Sequence, residues 1–230
     1  MMSSRVFQKI SSVSVALGVV IMMMPPSVAF AEAKDPLNLD NILNAFGRMD
    51  GLEAEFREEK HLALLSAPLV TTGRLYFTRP GYLARLVEKP SKSKVLITPT
   101  TVEMTDATGS QTIDLRARPD VKTFVESFTR VLAGDRAGLE TVYTLAITHP
   151  GDALPFDSWI LTMTPKGKPL NQLIASLEVR GRGIAVNTIT VREHAGDHSV
   201  ITIIKANPER VFTAAEQTQL FGEPRPSATP

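Results

Sequence analysis

The chain has 230 residues, of which 25 are basic and 24 acidic, giving a formal net charge of +1, and it contains no cysteine. That balance argues against a nucleic-acid binder, which would carry a strongly basic face, and the missing thiols exclude disulfides. Without a cysteine the chain also lacks the residue to which a bacterial lipoprotein attaches its own lipid.

The first 31 residues read as a secretory signal peptide: Arg5 and Lys9 form a basic start, Ile10 to Met24 an apolar run, and Ala29-Phe30-Ala31 a small-x-small cleavage site. The apolar run is short for a membrane span of about 20 residues and is broken by Pro25-Pro26. Removing Arg5 and Lys9 leaves 23 basic against 24 acidic residues, a charge of −1, on residues 32–230. The expected address is the periplasm, and the expected state is a monomer.

Asp35 as N-cap and Pro36 at the first position open a helix, with Leu39, Ile42, Leu43 and Phe46 on one face and Gly47 or Gly51 at its end. From Leu52 the apolar period falls to two: Leu52, Ala54 and Phe56 alternate with Glu53, Glu55 and Arg57. Such alternation suits an antiparallel sheet with one wet face. Further strands follow at 71–78, 82–88, 94–98, 102–105, 112–115, 141–148, 158–163, 174–180, 186–192 and 199–205. Turn signals separate them at Thr108-Gly109, Pro150-Gly151, Gly181-Arg182-Gly183 and Gly196-Asp197. About eleven short strands can curl into a full or partial barrel.

Midway, Pro119 starts a helix with Val121, Phe124, Val125, Phe128, Val131 and Leu132 on one face, and Gly134 ends it. This helix either covers the mouth of the sheet or is ordinary core packing. At the other end, Thr213 and Glu216 form a capping-box pattern for a short helix to Phe221, followed by an extended tail with Pro224, Pro226 and Pro230. The expected organisation is a leader at 1–31, one domain at 32–206 and a tail at 207–230.

No catalytic or metal centre is legible, and no cofactor is expected. His194 and His198 are four apart, but Ala195-Gly196-Asp197 between them is turn chemistry, so both read as a solvated hairpin tip. Asp197-His198-Ser199 cannot converge as a triad, because the residues are adjacent. Glu53, Glu55, Glu58 and Glu59 read as a solvated edge. Lys89, Lys92 and Lys94, like Lys166 and Lys168, read as solubilising or as a docking surface for an acidic partner.

The most informative stretch is Gly73 to Pro90. Leu75 and Phe77 alternate with Arg74, Tyr76 and Thr78, then Arg79-Pro80-Gly81 turns the chain into a second strand. This places an arginine at the lip of an apolar sheet face. The run Gly73-Arg74-Leu75-Tyr76-Phe77-Thr78-Arg79-Pro80 resembles the G-x-L-x-x-x-R-P hairpin of the LolA family, soluble periplasmic carriers of outer-membrane lipoproteins. Leu52-Glu53-Ala54-Glu55-Phe56 resembles that family's first strand. Trp159-Ile160-Leu161 and Thr164-Pro165-Lys166 resemble its late strand with L-x-P-K, so the likeness spans about 38–206.

The resemblance implies a mainly β fold with helices, an incomplete antiparallel barrel closed by a helical lid. It implies that Arg79 latches the lid through main-chain carbonyls near Phe46, Leu132 and Ala133. Alternation itself points Leu52, Phe56, Leu75, Phe77, Leu145, Ile147, Trp159, Leu161 and Met163 inward, and with Phe124 and Phe128 of the helix they would line the apolar cargo cavity. Its cargo would be the acylated end of a lipoprotein, taken from an inner-membrane transporter and passed to an outer-membrane receptor, with no enzymatic activity. The alternatives are a carrier of another lipidic molecule, such as a glycolipid or polyene-type lipid, and a lipid- or lipoprotein-sensing module. Two positions depart from the family pattern: Arg85 stands where tryptophan is common, and Glu58 where glutamine is.

Overall fold

The computed structural model describes residues 38–150 and 157–222. The leader, Asp35, Pro36, Gly151 and the proline-rich tail from 223 lie outside them. Eleven strands form one sheet: β1 (Gly51–His61), β2 (Leu69–Thr78), β3 (Tyr82–Lys89), β4 (Ser93–Ile97), β5 (Thr101–Asp106), β6 (Gly109–Asp114), β7 (Tyr143–Thr148), β8 (Ser158–Pro165), β9 (Ile174–Arg182), β10 (Ala185–Glu193) and β11 (His198–Asn207). Their spatial order is β6-β5-β4-β3-β2-β1-β11-β10-β9-β8-β7, every neighbour antiparallel. The first and last strands therefore pair in the middle of the sheet. Strands β6 and β7 are its two free edges, so the barrel is incomplete.

Helices α1 (Leu39–Gly47), α2 (Pro119–Ala133) and α3 (Arg136–Val142) lie with the concave face, and α2 and α3 bridge the gap in sequence between the two edges. The apolar stripes are buried as their spacing requires: Leu39, Ile42, Leu43 and Phe46 on α1, and Val121, Phe124, Val125, Phe128 and Leu132 on α2. They join the inner side chains of the strands in one continuous core. Among the described residues no helix is long and apolar enough to cross a membrane.

Three local expectations need correction. The cap of α1 is Asn38, whose Oδ1 accepts the Asn41 N–H at 2.9 Å, so the helix begins after the Asp35-Pro36 pair. Helix α3 occupies a stretch with no strong helical stripe. Asp135 caps it by accepting the Gly138 N–H, Leu139 packs inward, and β7 consequently starts at Tyr143 rather than Thr141. His198 is also no loop tip, for it lies opposite His61 across the β1–β11 ladder with the rings stacked at 4.5 Å.

On the convex face, helix α4 (Ala214–Phe221) has both halves of its capping box. It packs Phe221, together with Phe212, against Tyr76, Ala84 and Leu96. The T-shaped Phe212–Phe221 pair, with centroids 5.5 Å apart, fixes this brace on β2, β3 and β4.

Tyr143 is fully buried in the main core. Burial pushes its phenol up to about 12. The unfolded chain ionises near pH 10, so the stabilisation this group carries is complete below pH 10 and lost as pH rises towards 12. We predict a loss of about 2–3 kcal/mol over that window. Urea midpoints of wild type and Tyr143→Phe at pH 9 and pH 11.5 check this: wild type should fall further than the variant.

Candidate binding site on the concave face

The floor of the concave face follows from strand parity. Leu52, Phe56, Leu75, Phe77, Trp159, Leu161 and Met163 are each 2% exposed or less, while Leu145 and Ile147 on edge strand β7 are half-buried against the same core. Above them Phe124 and Phe128 meet edge to face, centroids 5.1 Å apart, one turn apart on α2. The structure thus gathers all eleven of these residues into one cluster. The helices cover the floor, so an apolar ligand reaches it only by displacing helix contacts.

Two details shape this floor. Trp159 faces Gly181 across the β8–β9 ladder, and a Cβ at Gly181 would fall 2.2 Å from the indole ring. The glycine therefore lets the ring lie against the sheet, while the indole N–H donates to Gly183 O at 2.6 Å. Helices α1 and α2 cross backbone to backbone: a Cβ at Gly47 would meet Ala133 O at 2.9 Å, and one at Gly134 would meet Leu43 O at 2.5 Å. Gly134 also caps α2 with φ +71°. Gly134→Ala should accordingly cost about 1–3 kcal/mol through the strained φ and the clash. A matching fall in the urea midpoint, with the sheet's circular dichroism retained, would be the readout.

Arg79 sits on the β2–β3 turn. Its Nε donates to Met49 O at 2.8 Å, its Nη2 donates to Gly47 O, and its backbone N–H donates to Asp50 O at 3.1 Å. The acceptors are thus at the exit of α1, next to Phe46 as expected, and not at Leu132 or Ala133 of α2. Phe46 O accepts the Met49 N–H, and the guanidinium takes the neighbouring carbonyls of Gly47 and Met49 instead. Leu132 is buried in the core, whereas the Ala133 side chain is exposed.

Sequence reading missed a second feature of this face. Glu58, expected on a solvated edge, is 3% exposed, and Arg85 is 7% exposed. Both share the parity of their apolar neighbours, Glu58 with Leu52 and Phe56, Arg85 with Leu83 and Val87. Arg85 Nη2 pairs with Glu58 Oε2, and the guanidinium lies 4.5 Å from the Phe56 ring centroid. Thr71 Oγ1 donates to the same carboxylate oxygen at 3.3 Å. Burial pushes the Glu58 carboxyl up, and the charge of Arg85 opposes that shift. A side chain at Gly73, the inner residue between Phe56 and Val87, would run into Leu86 O.

Among the described residues no three metal-ligating side chains converge. No curated protein matches the sequence. Several solved structures resemble the fold at low identity. A DUF1329 family protein from Desulfovibrio piger superposes with TM-score 0.48 and 14% identity, covering 79% of this chain and 96% of its own. An outer membrane lipoprotein-sorting protein domain from Vibrio parahaemolyticus gives 0.46 and 10%, covering 82% and 98%. A LolA superfamily protein from Nitrosomonas europaea gives 0.41 and 10%, covering 78% and 96%. At the level of sequence, residues 31–220 match the family described as outer membrane lipoprotein carrier protein LolA-like. With that match spanning most of its length, and with an incomplete antiparallel barrel closed over by helices, the chain belongs to the LolA-like outer membrane lipoprotein carrier family.

Proposed function

We propose that this protein is a periplasmic, non-enzymatic carrier that holds the acyl chains of lipoproteins on its concave face and ferries them from an inner-membrane transporter to an outer-membrane receptor. The observation that carries the reading is the continuous apolar floor, from Leu52 to Met163, covered by helices that the chain holds in place through Arg79. The signal-peptide pattern of residues 1–31 supplies the address.

Energetics favour a lid that competes with cargo. Each buried methylene contributes about 0.8 kcal/mol, so several acyl chains would total tens of kcal/mol, beyond the roughly 20 kcal/mol at which noncovalent affinity saturates. A carrier that gained all of this could not release. Here the empty protein satisfies its own floor with α1 and α2, and those contacts are given up on loading. Net affinity is the difference, which stays moderate.

Native mass spectrometry of the mature protein, gently purified from periplasm and then offered a triacylated lipopeptide, tests the proposal. We expect a one-to-one adduct, either lipoprotein-sized from the cell or lipopeptide-sized after addition. Failure to bind either one overturns the carrier reading.

A further inference from the structure

Strands β1 and β2 are joined by seven residues, Leu62 to Pro68. The other hairpins at the same end of the sheet need two to four: 107–108 between β5 and β6, 90–92 between β3 and β4, and 194–197 between β10 and β11. The long connection reads Leu-Ala-Leu-Leu-Ser-Ala-Pro and carries no charge. Leu64 is 97% exposed, and Leu65, Leu69 and Val70 are exposed as well. Among the described residues only two other large apolar side chains, Ile204 and Val211, stand so far into solvent. Leucines scattered over a surface need no explanation, but four apolar side chains within seven residues form a patch.

The tip is tied in place. Leu65 N–H donates to Leu62 O at 2.9 Å, closing a turn, and Ala63 N–H donates to Asp197 Oδ1 at 2.8 Å, joining the loop to the β10–β11 turn. On its other side stands the β3–β4 turn, where Leu69 shares a cleft of about 280 Å³ with Pro90, Ser91 and Ser93. That turn carries Lys89 and Lys92, both exposed. The carboxylates at this end are engaged: Glu88 with Arg74, Glu193 with Lys60, Asp106 with Thr108, and Asp197 with the loop itself. The end of the sheet thus presents uncharged leucines with cations beside them.

We propose that the β1–β2 tip, with Lys89 and Lys92, docks the protein on an anionic phospholipid surface, Leu64 and Leu65 entering the head-group region while the lysines meet lipid phosphates. The composition favours lipid over a protein partner. Protein interfaces draw on aromatic and arginine side chains and are poor in lysine, and their hot spots rarely use leucine. Aliphatic side chains beside lysines suit interfacial membrane binding, in which buried apolar area and attraction to anionic lipids add. A seven-residue tip also offers too little area for a stable protein interface, whereas a fluid bilayer closes around it. Residues 32–230 carry a charge of −1, so attraction of the whole chain to an anionic surface does not supply the effect. Docking goes beyond the carrier reading and needs no cargo.

Co-sedimentation of the mature protein with cargo-free vesicles is the test. One set is pure phosphatidylcholine, and the other is phosphatidylcholine with one third phosphatidylglycerol. Wild type should bind the anionic vesicles about tenfold more tightly than the neutral ones. Leu64→Ser with Leu65→Ser should weaken that binding at least about tenfold at an unchanged melting temperature, because both side chains are exposed. Lys89→Gln with Lys92→Gln should abolish the difference between the two vesicles. Three outcomes overturn the proposal: no binding of wild type to anionic vesicles, equal binding to both kinds, or binding that the leucine variant retains. A wild type that binds neither vesicle but self-associates in sedimentation velocity, with the leucine variant monomeric, makes a second copy the occupant and also overturns it. The lipopeptide adduct is read separately, so a leucine variant that still forms it leaves the carrier reading intact whichever way the vesicles fall.

Discussion

Arg79→Leu is expected to yield a folded protein that holds acyl ligands about tenfold to a hundredfold more tightly and hands them over correspondingly slowly. The arginine makes two charge-assisted hydrogen bonds to the exit of α1, at Gly47 O and Met49 O. Each bond of this kind contributes about 1.5–3 kcal/mol when well shielded, and less here because Arg79 is half-exposed. These bonds stabilise only the covered arrangement of the floor. Removing about 1.5–3 kcal/mol from it shifts the balance towards the ligand-accepting arrangement by the same amount. The fold itself should survive, because the sheet ladders, the α2 cap and the main core involve no side-chain atom of Arg79. Acyl-probe affinity and the rate of transfer to acceptor vesicles check this. Unchanged affinity together with unchanged transfer would sink the latch.

The second large effect is expected at the buried ion pair. Arg85→Leu alone leaves the Glu58 carboxylate inside the sheet without its closest counter-charge, supported by the Ser199 and Thr71 hydroxyls and the more distant Lys60. Breaking a buried pair from one side costs about 3–5 kcal/mol. For a domain of this size that lowers the melting temperature by about 10 °C. The sign of the pH dependence should also be distinctive. Without the opposing guanidinium, burial raises the Glu58 pKa further, so the single variant should recover stability as pH falls and the carboxyl becomes neutral. Glu58→Leu with Arg85→Met should lose far less than the single variant, since replacing both partners by apolar groups is often close to neutral. Melting curves at pH 5 and pH 8 for the three proteins separate these cases.

Much of the fold could be read from the residues, because period-two alternation is a local signal and this sheet has one face largely wet, apart from the patch under α4. All eleven strands were anticipated in type, and the floor from Leu52 to Met163 followed from parity. Helix α3 did not announce itself, since seven residues with one buried leucine carry too little pattern and its existence depends on the Asp135 cap and on packing. Glu58 was misread, and the burial of Arg85 was not foreseen, for a different reason. Charge was allowed to outweigh parity, although Glu58 follows Phe56 by two and Arg85 lies between Leu83 and Val87. Reading the alternation strictly would have placed both inside. The carbonyls that receive Arg79 could not be found from spacing, because they depend on how the exit of α1 sits against the β2–β3 turn.

The pairing of β1 with β11 has a consequence for how the molecule is made. Every other ladder joins strands that follow one another in sequence, so ten of the strands could assemble as two growing meanders while the chain emerges. The central seam cannot form until the final strand arrives, about two thirds of the chain length after the first. Until then β1 presents a bare edge with Phe56 beside it, a template for association with other chains. Closing that long loop is the step of highest contact order, and it should limit the rate of refolding. The order of synthesis thus leaves the middle of the sheet, rather than either rim, as the last part to become native.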